Sequence, residues 1–509
     1  MNEVLKGLVA VAATAAMAVA GFAGASTATA VEGETATAVK TSYTISFPTD
    51  AKYQGHTYEV YQIFTGDFDG KVLSNVKYGE NGTKTAGTEV TAEELKQLTD
   101  VNVEGKTDQE KLDVIKTFAK LESPVATLTK TDTSYNAAPG YYLIKDKDGS
   151  VSGNDANTLY ITKVVGDVTI SPKSDVPSFE KKVRDTNDTT GDTSDWQDSA
   201  DYDVNDKVPF QLKATLPSNY ADYKTYYLAF HDVEETGLSF NANSVKVAVD
   251  GTAVDASKYT VKTDGLTDSC TFEVVFNNLK TAVAAAKAGS VITVDYTSTL
   301  TEQAVRGNQG NVNQAKLQFS NNPNSEQGGE STPTGETPWD NVIVFTYKVV
   351  VNKVNENKKA LKGAAFKLEK KLNGGTTTPV KEFTAGEDTS FTFSGLDDGD
   401  YILTETTTPA GYNTIKPITF TVTAKHNIKW TTGERVDVLT ELNGNAASGE
   451  ITFTADKTAG SLTTNVVNVR GSSLPATGGM GTVLLYVAGI AVFVLAGATL
   501  VMALRRRNA

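Results

Sequence analysis

Short runs in which apolar residues alternate with polar ones recur along most of the chain. Clusters of Gly, Asn and Asp separate these runs, and clear examples are residues 43–47, 245–249 and 418–422. A period of two places successive side chains on opposite faces of a β-strand. Helical periodicity is restricted to residues 92–98, 109–121 and 279–288. The pattern predicts a mainly β protein with tandem immunoglobulin-like β-sandwich domains in series.

The length of 509 residues is too great for one hydrophobic core and favours several domains. A proline-containing break near residues 174–177 and a stretch rich in Gly, Pro and Thr near residues 330–338 indicate two boundaries. The chain is predicted to begin with a signal peptide (1–30) and to end with a sorting region (471–509). Between them we expect an N-terminal domain (31–174) and two further domains (175–340 and 341–470).

The two ends of the chain resemble export and anchoring signals. Lys6 precedes an apolar stretch that ends at Ala28-Thr29-Ala30, a site of the kind that signal peptidase cleaves. Residues 483–504 carry no charge and are long enough for a transmembrane helix, and three arginines follow them. We therefore expect a secreted protein whose precursor is held transiently in the plasma membrane, with its C-terminus in the cytoplasm.

Composition and motifs exclude several kinds of function. The formal net charge of −14 argues against binding to nucleic acid or to anionic membranes. Cys270 is the one cysteine, so no intrachain disulfide forms, and we expect it to be a small buried residue. The Asp-rich segment 185–206 lacks the ligand spacing of a calcium loop and is predicted to be a solvated loop. No Walker loop, HExxH motif or zinc-type cysteine cluster occurs, so we expect neither a metal nor a cofactor.

Two lysines lie on strand faces that are otherwise apolar. Lys181 shares a face with Phe179 and Val183, and Lys353 shares one with Val349 and Val351. A buried ammonium is costly unless it is paired or neutralised. A lysine in such a place loses its proton more easily and becomes a nucleophile.

The same alternation places a carboxyl group and an amide on apolar strand faces in the domain of each lysine. In the second domain, Asp232 and Asn321 lie on apolar faces, although Asn322 is an open alternative to Asn321. In the third domain, Glu405 and Asn468 do so. We find no comparable trio in the first domain.

These trios permit the lysine to attack the asparagine carboxamide, which releases ammonia and leaves an isopeptide bond. A carboxyl group that burial keeps protonated can polarise the amide and carry protons between the two nitrogens. The predicted cross-links are Lys181–Asn321 and Lys353–Asn468, with Asp232 and Glu405 as the catalytic carboxyls. Closing loops of more than about 100 residues is worth on the order of 4–5 kcal/mol if such a bond acts on the unfolded chain as a disulfide does.

The segment before the apolar C-terminal run resembles the LPxTG sorting signal of Gram-positive surface proteins. It consists of Leu474, Pro475, Ala476, Thr477 and Gly478. The resemblance implies that a sortase cysteine attacks the Thr477 carbonyl, cuts before Gly478, and passes the chain to an amine. It also implies attachment to peptidoglycan in the cell wall.

Over nearly its whole length the chain resembles a backbone (major) pilin of sortase-assembled Gram-positive pili. Ile170-Ser171-Pro172-Lys173 is similar to the pilin motif VYPK, with serine in the tyrosine place, and Ser320-Asn321-Asn322-Pro323 is similar to the SNNP segment of the isopeptide-forming second domain. Residues 401–412 resemble the pilin E-box, with Glu405 as its glutamate, and residues 363–368 resemble the GAxF strand of collagen-adhesin B-type domains.

The resemblance implies that Lys173 of one subunit is joined to Thr477 of the next. The implied partners are identical subunits, pilus-specific and housekeeping sortases, peptidoglycan and minor pilins. The alternative is an adhesin, anchored singly or as a minor pilin, that binds a host or surface ligand. No nucleophile–base pair for an external substrate stands out, so we expect a structural protein and not an enzyme.

Overall fold

The computed structural model describes residues 40–471, except residues 71–72, 101–112, 115, 152, 154, 173, 267, 324, 326 and 432. Its described residues are mainly β-strands arranged in several sheets, so the mainly β prediction is confirmed. The sheets fall into three groups along the chain, and each group encloses an apolar core.

The first group of strands lies between residues 43 and 169. One sheet has the order β5-β1-β8 and the other the order β3-β2-β6-β7, with β4 paired to β2. The strands are β1 (Tyr43–Ser46), β2 (Tyr58–Phe68), β3 (Leu73–Tyr78), β4 (Ala126–Leu128), β5 (Ser134–Ala137), β6 (Gly140–Asp146), β7 (Leu159–Val164) and β8 (Val168–Thr169).

The second group forms two facing sheets. Their orders are β15-β14-β18-β11-β9, with β13 paired to β18, and β10-β21-β19-β12-β17-β16, with β20 paired to β19. Burial alternates strictly along β18, which follows from its alternating sequence. The strands are β9 (Ser178–Val183), β10 (Ser199–Asp201), β11 (Lys207–Thr215), β12 (Leu228–Glu234), β13 (Leu238–Phe240), β14 (Lys246–Val249), β15 (Thr252–Ala253), β16 (Thr260–Lys262), β17 (Phe272–Phe276), β18 (Val291–Leu300), β19 (Asn311–Ser320), β20 (Thr334–Glu336) and β21 (Asp340–Phe345).

The third group also forms two sheets, with the orders β25-β22-β30-β29 and β24-β23-β26-β27-β28. The first and last strands of the group, β22 and β30, are parallel neighbours. The strands are β22 (Tyr347–Asn355), β23 (Ala365–Lys371), β24 (Thr377–Phe383), β25 (Ser390–Leu396), β26 (Gly399–Thr407), β27 (Ile418–His426), β28 (Leu439–Asn445), β29 (Phe453–Asp456) and β30 (Ser461–Asn468).

The boundary predicted between residues 340 and 341 is wrong by several residues because it would cut β21 apart. This strand pairs with β19 and β10 in the second group. Its Val342 and Val344 pack into the second core, whereas Ile343 and Phe345 pack into the third. The alternation of a single strand therefore joins the two cores directly.

Helix is sparse in the described residues. The prediction at residues 92–98 is confirmed by α1 (Ala92–Asp100), but at residues 279–288 the helix α2 covers only Leu279–Ala282. It ends where Val283 leaves helical geometry, with φ of −134°. The third predicted helix, at residues 109–121, lies partly outside the described residues.

No helix among the described residues combines the length and the apolar character needed to cross a bilayer. The transmembrane helix predicted at residues 483–504, the signal peptide and the sorting signal all lie outside the described residues.

Candidate functional site

In the third domain, strand alternation turns a lysine, a glutamate and an asparagine into the core. Lys353 lies on β22, Glu405 on β26 and Asn468 on β30, and all three are buried. Because β22 and β30 are parallel neighbours, with Lys353 opposite Val466, Lys353 and Asn468 emerge from one sheet. Glu405 reaches them from the facing sheet.

The contacts within this trio suit acyl transfer from the amide to the amine. The Nζ atom of Lys353 contacts Oδ1 of Asn468 and lies 3.3 Å from Oε1 of Glu405. The Nδ2 atom of Asn468 donates to both carboxyl oxygens of Glu405, at 3.0 and 3.1 Å. The carboxyl therefore contacts both the attacking and the leaving nitrogen.

The surroundings of Lys353 favour its neutral, nucleophilic form. Burial lowers the pKa of Lys353, although the neighbouring Glu405 carboxyl opposes this effect. The ring of Phe366 lies 5.8 Å from Nζ, which also donates to the backbone carbonyl of Val466 at 3.3 Å. A desolvated amine beside an amide carbonyl is the arrangement that attack requires.

The second domain holds a related but larger centre between its two sheets. Lys181 on β9 and Tyr296 on β18 face Asp232 on β12 and Asn313 on β19, and each is nearly or completely buried. Lys181 Nζ lies 2.5 Å from Oδ2 of Asp232 and 2.7 Å from the Tyr296 hydroxyl. Burial lowers the pKa of Lys181 and raises that of Asp232, which favours the neutral pair.

A second carboxyl group lies beside the amide of this centre. Asn313 Nδ2 is 3.3 Å from Oε1 of Glu234, which also accepts a hydrogen bond from Ser298. Burial, reinforced by repulsion from Asp232, raises the pKa of Glu234 to about 8. This glutamate had no distinguishing signal in the sequence beyond its position two residues after Asp232.

The prediction that Asn321 is the amide partner of Lys181 is wrong. Asp232 is opposite Ala315, and Asn321 follows Ala315 by six residues, a displacement of about 20 Å along the strand. The backbone carbonyl of Asn321 instead accepts hydrogen bonds from the N and Nδ2 atoms of Asn157 in the first domain, at 2.6 and 3.1 Å. The alternative Asn322 is one residue further away.

The sequence prediction selected the wrong asparagine because alternation along a strand shows which face a side chain lies on, but not which residues of the neighbouring strand it is paired with. Asn313 lies on β19 and Asn321 lies one residue beyond its end, with the same parity, so both satisfy the alternation that selected the inward face. Only the pairing of β12 with β19 distinguishes them, since it aligns Asn313 with Glu234.

A third buried lysine, Lys370 on β23, was not identified from the sequence. Its Nζ atom contacts a carboxyl oxygen of Asp397 and lies 2.7 Å from Asp203 and 3.0 Å from Asp188. Burial opposes the charge, but the attraction of Asp397 and Asp203 outweighs it and raises the pKa of Lys370. These contacts favour the ammonium form of Lys370, which is not nucleophilic.

The Lys370 contacts also correct the prediction for segment 185–206. Asp188 and Asp203 belong to that segment, which docks against the third domain and is not a solvated loop. Its Asp198 and Asp201 are buried, and His426 of the third domain lies 3.5 Å from Asp185 and 3.8 Å from Asp201. Hydrogen bonds to these two aspartates overcome the effect of burial and raise the pKa of His426 to about 10.

The carboxylates around Lys370 are spaced closely enough to hold a cation. Oxygen atoms of Asp188, Asp203, Asp206 and Asp397 lie within 4.8 Å of one another. The ammonium of Lys370 is paired with three of them and supplies positive charge at their centre.

The residues assigned to intersubunit joining, Lys173 and Thr477, lie outside the described residues, as does the rest of the sorting signal. The chain just before Lys173 is anchored to the first domain. Ile170 is buried in its core, and the backbone N–H of Ser171 donates to the Tyr160 hydroxyl at 3.0 Å.

Two family models match parts of the chain. Residues 204–323 match the model described as Gram-positive pilin backbone subunit 2, Cna-B-like domain, and residues 347–435 match SpaA, prealbumin-like fold domain. A curated relative, the trypsin-resistant surface T6 protein of Streptococcus pyogenes serotype M6, is 25% identical over 449 residues, covering 79% of this chain and 74% of the relative.

Solved structures of pilins are also similar. The T6 backbone pilin of serotype M6 Streptococcus pyogenes has 18% identity and a TM-score of 0.49, covering 85% of this chain and 99% of that one. The full-length major pilin SpaD from Corynebacterium diphtheriae has 19% identity and a TM-score of 0.48, covering 85% and 98%.

The two consecutive matches indicate tandem Cna-B-like and prealbumin-like domains, the first of them of the kind found in pilin backbone subunits. The chain is therefore similar to Gram-positive pilin backbone subunits over residues 204–323 and, across most of its length, to a streptococcal surface protein.

Proposed function

We propose that this chain is the shaft subunit of a covalently polymerised pilus, stiffened by two isopeptide bonds that it forms itself. A sortase joins Thr477 of one subunit to Lys173 of the next, and the finished polymer is attached to peptidoglycan. The observation that carries the internal chemistry is the Lys353–Glu405–Asn468 trio, in which one carboxyl contacts both nitrogens.

In the third domain, the neutral Lys353 amine attacks the carboxamide carbon of Asn468. A C–N bond forms to Nζ, the bond to Nδ2 breaks, and ammonia leaves. Glu405 takes a proton from the attacking nitrogen and returns one to the leaving nitrogen, so that the carboxyl is regenerated. The reaction consumes no cofactor and occurs once in each chain.

In the second domain, we propose the corresponding bond between Lys181 and Asn313, with Asp232 as the catalytic carboxyl. The support is the burial of all three groups and the close approach of Lys181 to Asp232. Pulling force along a shaft would pass through both cross-linked domains, and neither bond is sensitive to reduction.

Mass spectrometry of the full-length protein tests the internal bonds. Each bond removes one ammonia, so the mass should be lower by about 17 Da per bond, or about 34 Da for two. Tryptic peptides should contain Lys353 joined to Asn468 and Lys181 joined to Asn313. An unchanged mass would refute both assignments.

Boiling cell-wall extracts in detergent tests the polymer. The wild type should give a ladder of high-mass species, and Lys173→Ala should collapse it to the monomer. Lys147→Ala, which alters an exposed lysine of the same domain, is the matched control and should keep the ladder. A single band from the wild type would favour the singly anchored adhesin.

A further inference from the structure

The isopeptide centres of the second and third domains differ in how the carboxyl reaches the amide. Glu405 accepts directly from Nδ2 of Asn468. In the second domain the Tyr296 hydroxyl lies between the corresponding groups, 2.7 Å from Asp232 Oδ2 and 2.9 Å from Asn313 Nδ2. Aspartate is one methylene shorter than glutamate, and the tyrosine bridges the gap between Asp232 and Nδ2, which also donates to Glu234 at 3.3 Å.

The hydrogen bonds at this hydroxyl account for all of its capacity. A phenol donates one hydrogen bond and accepts two. Here it donates to Asp232 and accepts from Lys181 and from Asn313. It therefore contacts the nucleophile, the acid and the leaving group at once.

The ring is held in place by other aromatic side chains. Phe210 stacks against it with ring centres 5.4 Å apart, and Phe272 meets it edge to face at 4.9 Å. Phe240 lies at 5.7 Å on a further side. A ring enclosed in this way keeps its hydroxyl at one point, so the position of Asn313 relative to Asp232 is fixed before reaction.

We propose that Tyr296 is the proton relay of the second domain's isopeptide reaction, an inference that rests on the proposed Lys181–Asn313 bond. As the bond from carbon to Nδ2 of Asn313 breaks, the protonated Asp232 passes its proton to the phenol oxygen, and the phenol turns its own proton toward Nδ2 and delivers it there. Asp232 then takes the proton that the attacking Lys181 nitrogen loses. Ammonia leaves, and both the carboxyl and the phenol return to their starting protonation states.

The experiment follows both cross-links in the full-length protein by intact mass and peptide mapping over time after synthesis. Tyr296→Phe keeps the ring and removes the hydroxyl. We expect it to slow the Lys181–Asn313 bond by at least about a hundredfold, as for loss of a general acid–base group, while Lys353–Asn468 forms normally. Tyr226→Phe is the matched control, because it removes another buried hydroxyl of this core, one without a hydrogen-bond partner in the described chain.

The outcomes separate the two proposals. If the wild type forms the bond and Tyr296→Phe forms it equally fast, the relay is refuted and the cross-link stands. If the wild type leaves Lys181 free, both the cross-link and the relay are refuted.

A second measurement covers the case in which Tyr296→Phe folds poorly. Incorporating 3,5-difluorotyrosine at position 296 preserves the hydroxyl and the ring while making the phenol more acidic. The rate of bond formation and its pH dependence should then change, and an unchanged rate and pH profile would refute the relay. The third domain's bond serves as the internal reference in the same samples.

Discussion

Lys353 and Lys370 both belong to the third domain and both have no exposed surface, yet their surroundings are opposite. Lys353 faces one carboxyl and one amide, and burial lowers its pKa. Lys370 faces three carboxylates, which raise its pKa. Burial alone therefore does not make a lysine reactive. The number of carboxylates around it decides between a nucleophile and a structural cation.

The difference also separates two ways of holding domains together. The Lys353 centre lies within one domain and can become covalent. The Lys370 centre spans the junction between the second and third domains, because Asp188 and Asp203 come from the second and Asp397 from the third. We expect it to remain ionic, since Lys370 contacts no amide in the described part of the chain and is surrounded by three carboxyl groups.

The largest expected effect comes from removing the carboxyl group of the proposed Lys353–Asn468 cross-link. Glu405→Gln keeps the shape of the side chain but cannot shuttle protons, so the Lys353–Asn468 bond should not form. The mass should be about 17 Da higher than expected for the linked variant. Stability should fall by on the order of 4–5 kcal/mol, measured by denaturant unfolding of the third domain.

The control for this variant is Glu382→Gln, which alters an exposed glutamate on β24 of the same domain. It should retain the bond and the stability of the wild type. A fully linked Glu405→Gln protein would contradict the assigned role of the carboxyl.

Removing the cation from the ionic centre should have the next largest effect. Lys370→Met leaves the buried Asp397 and its partners uncompensated, which should cost about 3–5 kcal/mol. Limited proteolysis should then cut between the second and third domains, and thermal unfolding should begin at a lower temperature. Lys371→Met, which changes the adjacent and more exposed lysine, should cost less than about 1 kcal/mol.

Peptide mapping provides a sharper test of the contrast between the two lysines. Lys370 should be recovered free in every sample in which Lys353 is linked. A cross-linked peptide that joins Lys370 to Asp397 with loss of one water would show that both lysines are nucleophiles. It would contradict the assignment of Lys370 as a structural cation.

The junction should also lose stability as pH rises. Burial raises the pKa of Asp206 to about 6 and that of Asp398 to about 7, in each case with added repulsion from nearby aspartates. The pKa of His426 is raised to about 10. All three groups bind more protons in the folded state, so stability should decrease from pH 4 to 7 through the aspartates and from pH 6.5 to 10 through the histidine.

Denaturant midpoints of the second and third domains at pH 5, 7 and 9 measure this effect. Asp398→Asn should flatten the curve between pH 4 and 7, and His426→Gln should flatten it above pH 6.5. A midpoint that rises with pH in the wild type would contradict the assignment.

The smallest effect is expected at Asn321. Its contact with Asn157 uses the backbone carbonyl, so Asn321→Ala should change stability by less than about 0.5 kcal/mol and leave the second domain's bond intact. Asn313→Ala should abolish that bond. Mass spectrometry of the two variants compares the asparagines directly, and loss of the bond in Asn321→Ala alone would restore the original prediction.

Strand alternation by itself determined which faces of β22, β26 and β30 are buried, and it placed Lys353, Glu405 and Asn468 on inward faces, because a side chain's face depends only on local parity. It selected Lys181 and Asp232 in the same way. The position of Asn313, and not Asn321, beside Tyr296 and Glu234, the placement of Tyr296 itself, and the docking of Asp188 and Asp203 onto Lys370 were decided by the tertiary structure. Register and domain contact depend on pairing between segments far apart in the chain, and local periodicity carries no information about that pairing.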